Sequence, residues 1–267
     1  MNSDHWPVVR LFEVPIRALS MEQVLAAAEE AIIRRRRLLI GVVNAAKMVR
    51  MKQDALLRKS VLDADMILAD GMAVVWACRL LGTPLPQRVT GIDLMERLLE
   101  RGQERGYRLY FLGATPEVLE ATVARVTKEF PAVIVAGQRD GYFRLDEEAE
   151  VAAEIRRARP DILLVAMTSP KKEQFLARWV HELDVPVCHG VGGAFDVFAG
   201  KVRRAPALWQ RWGLEWLYRT IQEPRRLGKR YLVTNAMFIW MVLLERWGKR
   251  SSSPRPAPGP NPGGIRG

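Results

Sequence analysis

The stretch VPVCHGVGGAFDVFAGKVRR, residues 185–204, joins a short apolar run to a glycine-rich turn and an amphipathic segment that carries Asp196. Apolar strand, glycine turn and helix start, in that order, let backbone N–H groups contact a negatively charged ligand. A side chain at Gly192 or Gly193 would hold a phosphate or a sugar away from the main chain. Since a cationic tract follows at once, the stretch predicts a phosphate-bearing ligand. The spacing is not GxGxxG, because Phe195 stands at the third glycine position, and a purely structural turn is the alternative.

The same order of strand, turn and helix recurs through the first 200 residues. Near-continuous apolar runs alternate with helical patterns of about a dozen residues, which is typical of a mostly parallel sheet covered on both faces. The predicted strands are 38–43, 66–69, 108–112, 132–136, 161–167 and 185–188, after an entering strand or extended arm at 8–16. The predicted helices are 21–37, 45–59, 72–81, 91–105, 117–130, 146–159 and 174–183. The predicted fold class is therefore α/β and Rossmann-like.

Polar residues and glycines stand where these strands end. They are Asn44, Asp70, Gly113–Thr115, Gly137–Gln138, Thr168–Glu173 and Gly190–Asp196. Ligands of parallel α/β sheets bind beyond the carboxyl ends of the strands. Because these segments come from different elements and are expected to meet at one rim, they favour a binding site more strongly than any single motif does.

Charge is unevenly distributed along the 267 residues. The net charge is +11, and residues 1–200 hold 27 basic and 27 acidic side chains. Residues 201–267 hold 14 basic and three acidic side chains, together with five of the eight tryptophans. A neutral body with a basic, Trp-rich tail predicts a two-part protein whose tail binds a polyanion, either an anionic membrane surface or nucleic acid.

Cysteine use and hydropathy indicate a cytoplasmic chain. Cys78 and Cys188 both lie in apolar runs far apart, which is typical of a reducing compartment. The amino-terminal residues show no secretory leader, and no run approaches the ~20 apolar residues that span a bilayer.

Asp70 is the first candidate for chemistry. It directly follows a predicted buried strand, and Gly71 allows a sharp turn into the next helix. A carboxylate fixed there can accept a proton from a hydroxyl group. Capping of helix 72–81 is the alternative, and the two roles are compatible.

A metal-free mechanism is expected. Asp63-Ala64-Asp65 matches the DxD pattern of metal-dependent sugar transferases, but it precedes its strand and is predicted to be structural, at the opposite rim. The three histidines have no metal-ligand spacing. Fixed cations must then neutralise a leaving phosphate, and Arg88 and the tail arginines suit diphosphate oxygens. A surface charge for Arg88, and a solvated helix for the tail arginines, are the alternatives.

Seven groups of residues, in order and spacing, resemble the WecG/TagA/CpsF glycosyltransferase family over roughly residues 10–245. They are Asp70-Gly71, Arg88-Val89-Thr90-Gly91, Ser169-Pro170-Lys171-Lys172-Glu173, the stretch 190–196, Arg204-Ala205-Pro206, Gly213-Leu214-Glu215-Trp216 with Arg219, and Glu223-Pro224-Arg225-Arg226.

The resemblance implies a metal-independent, inverting transferase that needs no cofactor. Such enzymes move an N-acetylhexosamine-type sugar, often N-acetylmannosamine or its uronic acid, from a UDP-sugar donor. The acceptor is a sugar on undecaprenyl diphosphate, and the product serves cell-surface polysaccharides such as teichoic acid or exopolysaccharide. The expected partners are these two substrates and the inner face of the cytoplasmic membrane, where the protein would be peripheral, with no nucleic acid. The oligomeric state is left open, and a homo-oligomer is one alternative, because the apolar helix near Ile239 can pack on another subunit as readily as on lipid.

The resemblance also implies residue roles. Asp70 would be the base that deprotonates the acceptor hydroxyl, with Arg88 as the second catalytic residue, near the diphosphate. Asn44 would orient the transferred sugar, and Asp196 would help hold the nucleoside. On the appendage, Arg219, Arg226 and Lys229 would close over the diphosphate or the lipid. The predicted substrate-binding set is completed by Gly113, Thr115, Lys172, Gly192 and Gly193.

Two positions depart from the family pattern. Val42 stands where many members have threonine, and Lys172 stands where many have glutamine. Both are expected near the sugar, so the donor sugar can differ from N-acetylmannosamine, and Lys172 is a candidate partner for an anionic or differently oxygenated donor.

The change in composition after Arg204, together with the resemblance, divides the chain into three predicted parts. Residues 1–205 would form the α/β catalytic domain that binds the nucleotide sugar, 206–247 a basic, Trp-rich helical appendage that docks on the membrane, and 248–267 a disordered Pro/Gly/Ser-rich tail. The alternative function is a non-enzymatic nucleotide- or nucleic-acid-binding module with a basic arm. A nicotinamide-dependent oxidoreductase is a weaker alternative, because Asn44-Ala45-Ala46 replaces the expected fingerprint.

Overall fold

The computed structural model describes residues 6–222 and 224–251, without the side chains of residues 211, 219, 226, 227, 229, 230 and 248–251. A six-stranded, wholly parallel sheet in the order β4-β3-β8-β7-β5-β6 forms its centre. The strands are β3 (Leu38–Val43), β4 (Met66–Ala69), β5 (Arg108–Gly113), β6 (Ile134–Arg139), β7 (Ile162–Ala166) and β8 (Val187–Gly190). An antiparallel hairpin, β1 (Val8–Leu11) with β2 (Val14–Arg17), precedes the sheet. The predicted α/β fold with a parallel sheet is confirmed.

Helices cover both faces of the sheet, as the buried strands require. They are α1 (Met21–Ile33), α2 (Ala45–Gln53), α3 (Ala55–Leu62), α4 (Met72–Leu80), α5 (Gly91–Arg105), α6 (Pro116–Glu129), α7 (Glu148–Ala158), α8 (Lys171–Trp179) and α9 (Ala194–Phe198). Successive residues of β3 point to opposite faces: Ile40 packs in the cluster that contains α1, α5 and α6, whereas Leu39 packs in the cluster that contains α7 and α8.

Several predicted boundaries differ from the structure. The predicted helix 45–59 is two helices, because Asp54 breaks the run and its carboxylate accepts the backbone N–H of Leu57 at 2.8 Å. The predicted arm 8–16 is the β1–β2 hairpin. β6 begins two residues later than predicted and α8 three residues earlier, and a 3-10 turn at Leu145–Glu147 precedes α7.

In the described part of the chain, three helices follow the body: α10 (Ala207–Arg211), α11 (Glu215–Gln222) and α12 (Pro224–Ser251). The predicted restart at Pro224 is confirmed. One side of α12 packs on α2 and on the hairpin, where Phe238 meets Phe12 edge-to-face at 5.8 Å between ring centroids. Trp240 and Trp247 are exposed on the same helix. Within 6–222 and 224–251, no helix has both the length and the apolar character needed to cross a bilayer. Of the tail 248–267 that is predicted to be disordered, residues 248–251 belong to the end of α12, and the rest lies outside the described residues.

The connections between strands run in opposite directions from two neighbouring strands, β5 and β7. From β5 the chain continues to β6 on one side, and from β7 it continues to β8 on the other. Open α/β sheets bind ligands at such switch points, outside the carboxyl ends of the strands. The edge formed by those ends is therefore the place to look for a site.

Candidate active site

The predicted site residues of the body lie along one edge of the sheet. Asn44 follows β3, Asp70 follows β4, Gly113 ends β5, and Gly192 follows β8. Lys172 lies in the first turn of α8, the helix that follows β7. With about 4.8 Å between neighbouring strands, the edge from β4 to β5 measures ~19 Å. The predicted convergence on a single rim agrees with this arrangement of strand ends.

Asp70 is fixed against the start of α5. Its Oδ1 accepts the backbone N–H of Gly91 at 2.9 Å, and its own N–H donates to the carbonyl oxygen of Val43 at 2.9 Å. The first turn of a helix favours negative charge. The N-cap of α4 is Gly71, with no side-chain cap, so the alternative role of Asp70 as the cap of α4 is wrong. The carboxylate is instead held by a neighbouring helix at the rim.

Asn44 lies directly beside the Asp70 loop. Its Oδ1 caps α2 by accepting the backbone N–H of Lys47 at 3.0 Å. A Cβ added at Gly71 would lie 3.3 Å from the Cβ of Asn44, which is a tight contact. The glycine of the Asp70-Gly71 pair therefore lets the ends of β3 and β4 approach closely.

A group of buried charges lies next to Asn44. Lys47 Nζ donates to the carbonyl oxygen of Val42 at 2.7 Å and to Glu173 Oε1 at 2.8 Å. Lys172 Nζ lies 3.5 Å from the same Glu173 oxygen. The sequence reasoning gave no role to Lys47 or Glu173. The available signals were the position of Lys47 one helical turn after Asn44, and Glu173 in the same motif as Lys172.

The charges in this group shift one another's pKa values. Burial and the positive charge of Lys47 lower the pKa of Lys172 to about 8, although Glu173 and Asp70 oppose the decrease. Burial alone would raise the pKa of Glu173, but Lys47 and Lys172 outweigh burial and bring it to about 2. A lysine with a pKa near neutrality, beside a carboxylate at a rim, is typical of functional sites.

The glycine turn after β8 accommodates Lys172. A Cβ at Gly190 would lie 2.8 Å from Lys172 Cδ, and one at Gly192, whose φ is 57°, would lie 3.3 Å from Lys172 Nζ. Gly193 is the N-cap of α9, and its added Cβ would lie 3.8 Å from Asp196 Oδ2. The space above Gly190 and Gly192 is thus filled by a lysine of the protein rather than left open for a ligand.

Gly113 and Thr115 both have structural explanations. An added Cβ at Gly113, whose φ is 115°, would lie 2.6 Å from the carbonyl group of Ala166. Thr115 caps α6 by accepting the backbone N–H of Val118 at 3.4 Å. A polar cleft of about 430 Å³ opens beside them, lined by Pro116, Leu119, Glu120, Gln138, Arg139, Asp140 and Glu154. Ligand roles for Gly113 and Thr115 stay predictions.

The appendage contacts the body next to the rim. Arg88 Nη1 lies 2.5 Å from Glu215 Oε2, and this mostly buried ion pair joins the loop before α5 to the start of α11. In the turn between α10 and α11, an added Cβ at Gly213 would lie 2.6 Å from the Cβ of Met72, two residues after Asp70. The backbones of Arg219, Arg226 and Lys229 belong to α11 and α12, but their predicted side-chain roles lie outside what the structure describes.

The DxD pair lies away from the rim. Asp63 pairs with Lys59 at 3.0 Å, and Asp65 binds Arg37 and the backbone N–H of Leu39, each at 2.8 Å. These contacts are at the amino ends of β3 and β4, so the predicted structural role is confirmed. Among the described side chains, no group of three or more His, Cys, Asp or Glu is placed to hold a metal ion.

Fold and site together define an α/β protein with a carboxylate, an amide, a buried lysine and an arginine near the carboxyl edge of a parallel sheet. The chain belongs to the glycosyl transferase WecG/TagA/CpsF family, whose model matches residues 9–252. It is similar to the N-acetylglucosaminyldiphosphoundecaprenol N-acetyl-beta-D-mannosaminyltransferase of Bacillus spizizenii, with 40% identity over 163 residues, 61% of this chain and 63% of the relative. The Bacillus subtilis protein of the same name is 35% identical over 193 residues, 72% of this chain and 74% of the relative. The match thus spans less than two thirds of the first relative.

Proposed function

We propose that this protein is an inverting, metal-independent glycosyltransferase. It would move an N-acetylhexosamine-type sugar, N-acetylmannosamine or a relative, from a UDP-sugar to a sugar on undecaprenyl diphosphate. Family membership and the names of the two Bacillus relatives support the reaction class and the lipid-linked acceptor. The observation that carries the proposal is Asp70, held at the carboxyl edge by the N–H of Gly91.

The proposed chemistry is a single displacement. Asp70 removes the proton of the acceptor hydroxyl while that oxygen attacks the anomeric carbon of the donor, and UDP leaves with the electrons of the broken glycosidic bond. Such general-base assistance contributes roughly 10²–10⁴-fold to turnover. Arg88 supplies positive charge for the leaving diphosphate. The guanidinium of Arg88 has five N–H donors, so its contact with Glu215 leaves others for a phosphate.

The appendage is proposed to hold the protein on the inner face of the membrane. Residues 201–267 carry the whole excess of positive charge, and α12 exposes Trp240 and Trp247. Basic residues near exposed tryptophans suit an anionic lipid surface. Within the apolar run Ala236–Leu244 of α12, Phe238, Met241 and Val242 pack on the body. The exposed residues of the same run, such as Ile239 and Trp240, favour lipid over nucleic acid as the partner of the basic arm.

Product analysis tests this function. The protein is incubated with a panel of UDP-sugars and an N-acetylglucosaminyl lipid diphosphate, and the products are identified by mass spectrometry, with NMR for the anomeric configuration. We expect one N-acetylhexosamine to be added to the acceptor, with inverted configuration. A protein that binds the lipid but transfers no sugar from any donor would contradict the proposal.

A further inference from the structure

We propose that Lys47 and Glu173 are positioning residues that hold the ammonium group of Lys172 in the donor pocket, where it binds an anionic group of the donor. This inference rests on the proposed function. The anionic oxygens can come from the diphosphate or from a carboxylate on the transferred sugar, and the two sources are separated below.

Contacts from three elements fix Lys172. Its side chain crosses Gly190 of β8, and its Nζ lies against Gly192, within the turn that opens α9. Only 8% of the side chain is exposed. Glu173 Oε1 lies 3.5 Å from Lys172 Nζ and 2.8 Å from Lys47 Nζ, so one carboxylate oxygen sits between two ammonium groups. These contacts confine the ammonium group of Lys172 to one position, at the rim beside the glycine turn.

Lys47 ties this arrangement to β3 and α2. It donates to the carbonyl oxygen of Val42 as well as to Glu173, and Asn44 caps the helix on which it stands. The other oxygen of Glu173, Oε2, is buried and has no hydrogen-bond partner among the described residues. A cavity of about 20 Å³, lined mostly by apolar residues of β3, α3 and α8, also reaches the three charged residues.

Burial and three neighbouring charges set the pKa of Lys172. Lys47 repels its ammonium form, whereas Glu173 and Asp70 stabilise it. His189 on β8 also lies close; burial lowers the pKa of that histidine, and the positive charge of Lys172 lowers it further. Because burial and Lys47 lower the pKa of Lys172 to about 8, its charge is present below that pH and is lost as the pH rises through about 8. Binding of an anionic donor should weaken over the same range, while uncharged parts of the ligand are unaffected.

Lys47, Glu173 and Lys172 together are called the clamp. It is tested first in the free protein by NMR titration of ¹³C-labelled lysines, with the Lys172 signal assigned by its loss in Lys172→Met. We expect a midpoint of about 8 in the wild type. Glu173→Gln removes a stabilising negative charge and should lower the midpoint by about one pH unit or more, whereas Lys47→Met removes a repelling charge and should raise it. A Lys172 that titrates near 10.4, as an exposed lysine does, in all three proteins would overturn the clamp. Thermal unfolding of each variant verifies that it is folded.

The ligand is tested by calorimetry with UDP, UDP-N-acetylglucosamine and UDP-glucuronate between pH 7 and pH 9. Lys172→Met should weaken binding about 10- to 100-fold, which corresponds to one hydrogen bond to a charged group. If Lys172→Met binds all three ligands more weakly, Lys172 contacts the diphosphate. If it binds only UDP-glucuronate more weakly, Lys172 contacts a carboxylate on the sugar. Lys171→Met is the matched control, because Lys171 Nζ donates to the carbonyl oxygens of Gly141 and Phe143 instead.

The two tests separate this inference from the proposed function. Unchanged affinity of Lys172→Met for all three ligands would overturn the donor-binding role of Lys172. A wild-type protein that binds none of them would overturn the UDP donor of the proposed function. The NMR titration of the free protein still decides on the clamp in that case.

Discussion

At the scale of single residues, His189 is a polar side chain buried completely beneath the rim. Its Nε2 lies 3.1 Å from the carbonyl oxygen of Gly91, whose N–H holds Asp70, and its Nδ1 lies 3.4 Å from the carbonyl oxygen of Ile40. Burial lowers the pKa of His189 to about 4, although the two carbonyl contacts oppose this. The ring is therefore neutral at pH 7 and supports the segment that positions Asp70.

This pKa predicts a loss of stability in mild acid. Between about pH 6.5 and pH 4 the unfolded chain binds a proton at this position and the folded protein does not, so the free energy of unfolding falls as the pH falls. The expected contribution of His189 is about 3 kcal/mol across that range. Urea unfolding at pH 7 and pH 4.5 measures it.

The matching variants are His189→Gln and His181→Gln. His189→Gln should flatten the pH dependence between pH 7 and pH 4.5, whereas His181→Gln, at an exposed position beside Arg37, should keep the wild-type slope. An equal slope in His189→Gln and the wild type would show that another group titrates.

Single residues also show how far the sequence predicts the site. Asn44 and Asp70 were predicted from their places after apolar strands, because the end of a parallel strand is visible in the sequence. Lys47 and Glu173 were missed, since they are 126 residues apart and only the tertiary fold brings the first turns of α2 and α8 together. The contacts of Gly190 and Gly192 with the side chain of Lys172 could not be predicted for the same reason.

At the scale of elements, Asp54 divides what periodicity predicts as one helix. The apolar spacing continues across the break, so the pattern alone does not reveal it, while the carboxylate satisfies one of the first free N–H groups of α3. The edge strand β6 was displaced in the prediction because its residues are only partly buried. Helices with a clear cap, such as α5 after Thr90 and α6 after Thr115, were predicted to within one residue of their start.

The cap at Asp54 carries a measurable share of stability. Asp54→Ala removes the acceptor for the N–H of Leu57 and should lower the free energy of unfolding by about 1 kcal/mol. Asp146→Ala, which removes an exposed carboxylate paired with Arg144, should change it by much less. Chemical denaturation compares the two variants, and equal losses would contradict a capping role.

At the scale of the whole molecule, the appendage contacts the body at several places, and two side-chain pairs illustrate them. Arg88 with Glu215 joins α11 to the loop before α5, and Phe238 with Phe12 joins α12 to the hairpin. Composition predicted the appendage, because the charge and the tryptophans concentrate there. Its docking on α2 was not predicted, since contacts between distant segments leave no periodic signal, and neither was the strand order.

The exposed tryptophans of α12 should mediate membrane binding. Trp240→Ser combined with Trp247→Ser is expected to reduce flotation with anionic vesicles clearly, because two interfacial anchors are lost. Tyr142→Ser, which removes an exposed aromatic ring from the body, is the control and should float as the wild type does. Rising salt should weaken binding of the wild type. Equal flotation of the double variant and the wild type would contradict this role of α12.

The central claim is that the carboxylate of Asp70 takes the acceptor proton. The most direct measurement is single-turnover transfer from the donor to the lipid-linked acceptor by Asp70→Asn, with UDP affinity measured in parallel and Asp63→Asn as the matched control on the opposite edge. We predict that Asp70→Asn loses at least about 100-fold in turnover while it still binds UDP, and that Asp63→Asn keeps its activity. Turnover of Asp70→Asn close to that of the wild type would contradict the account.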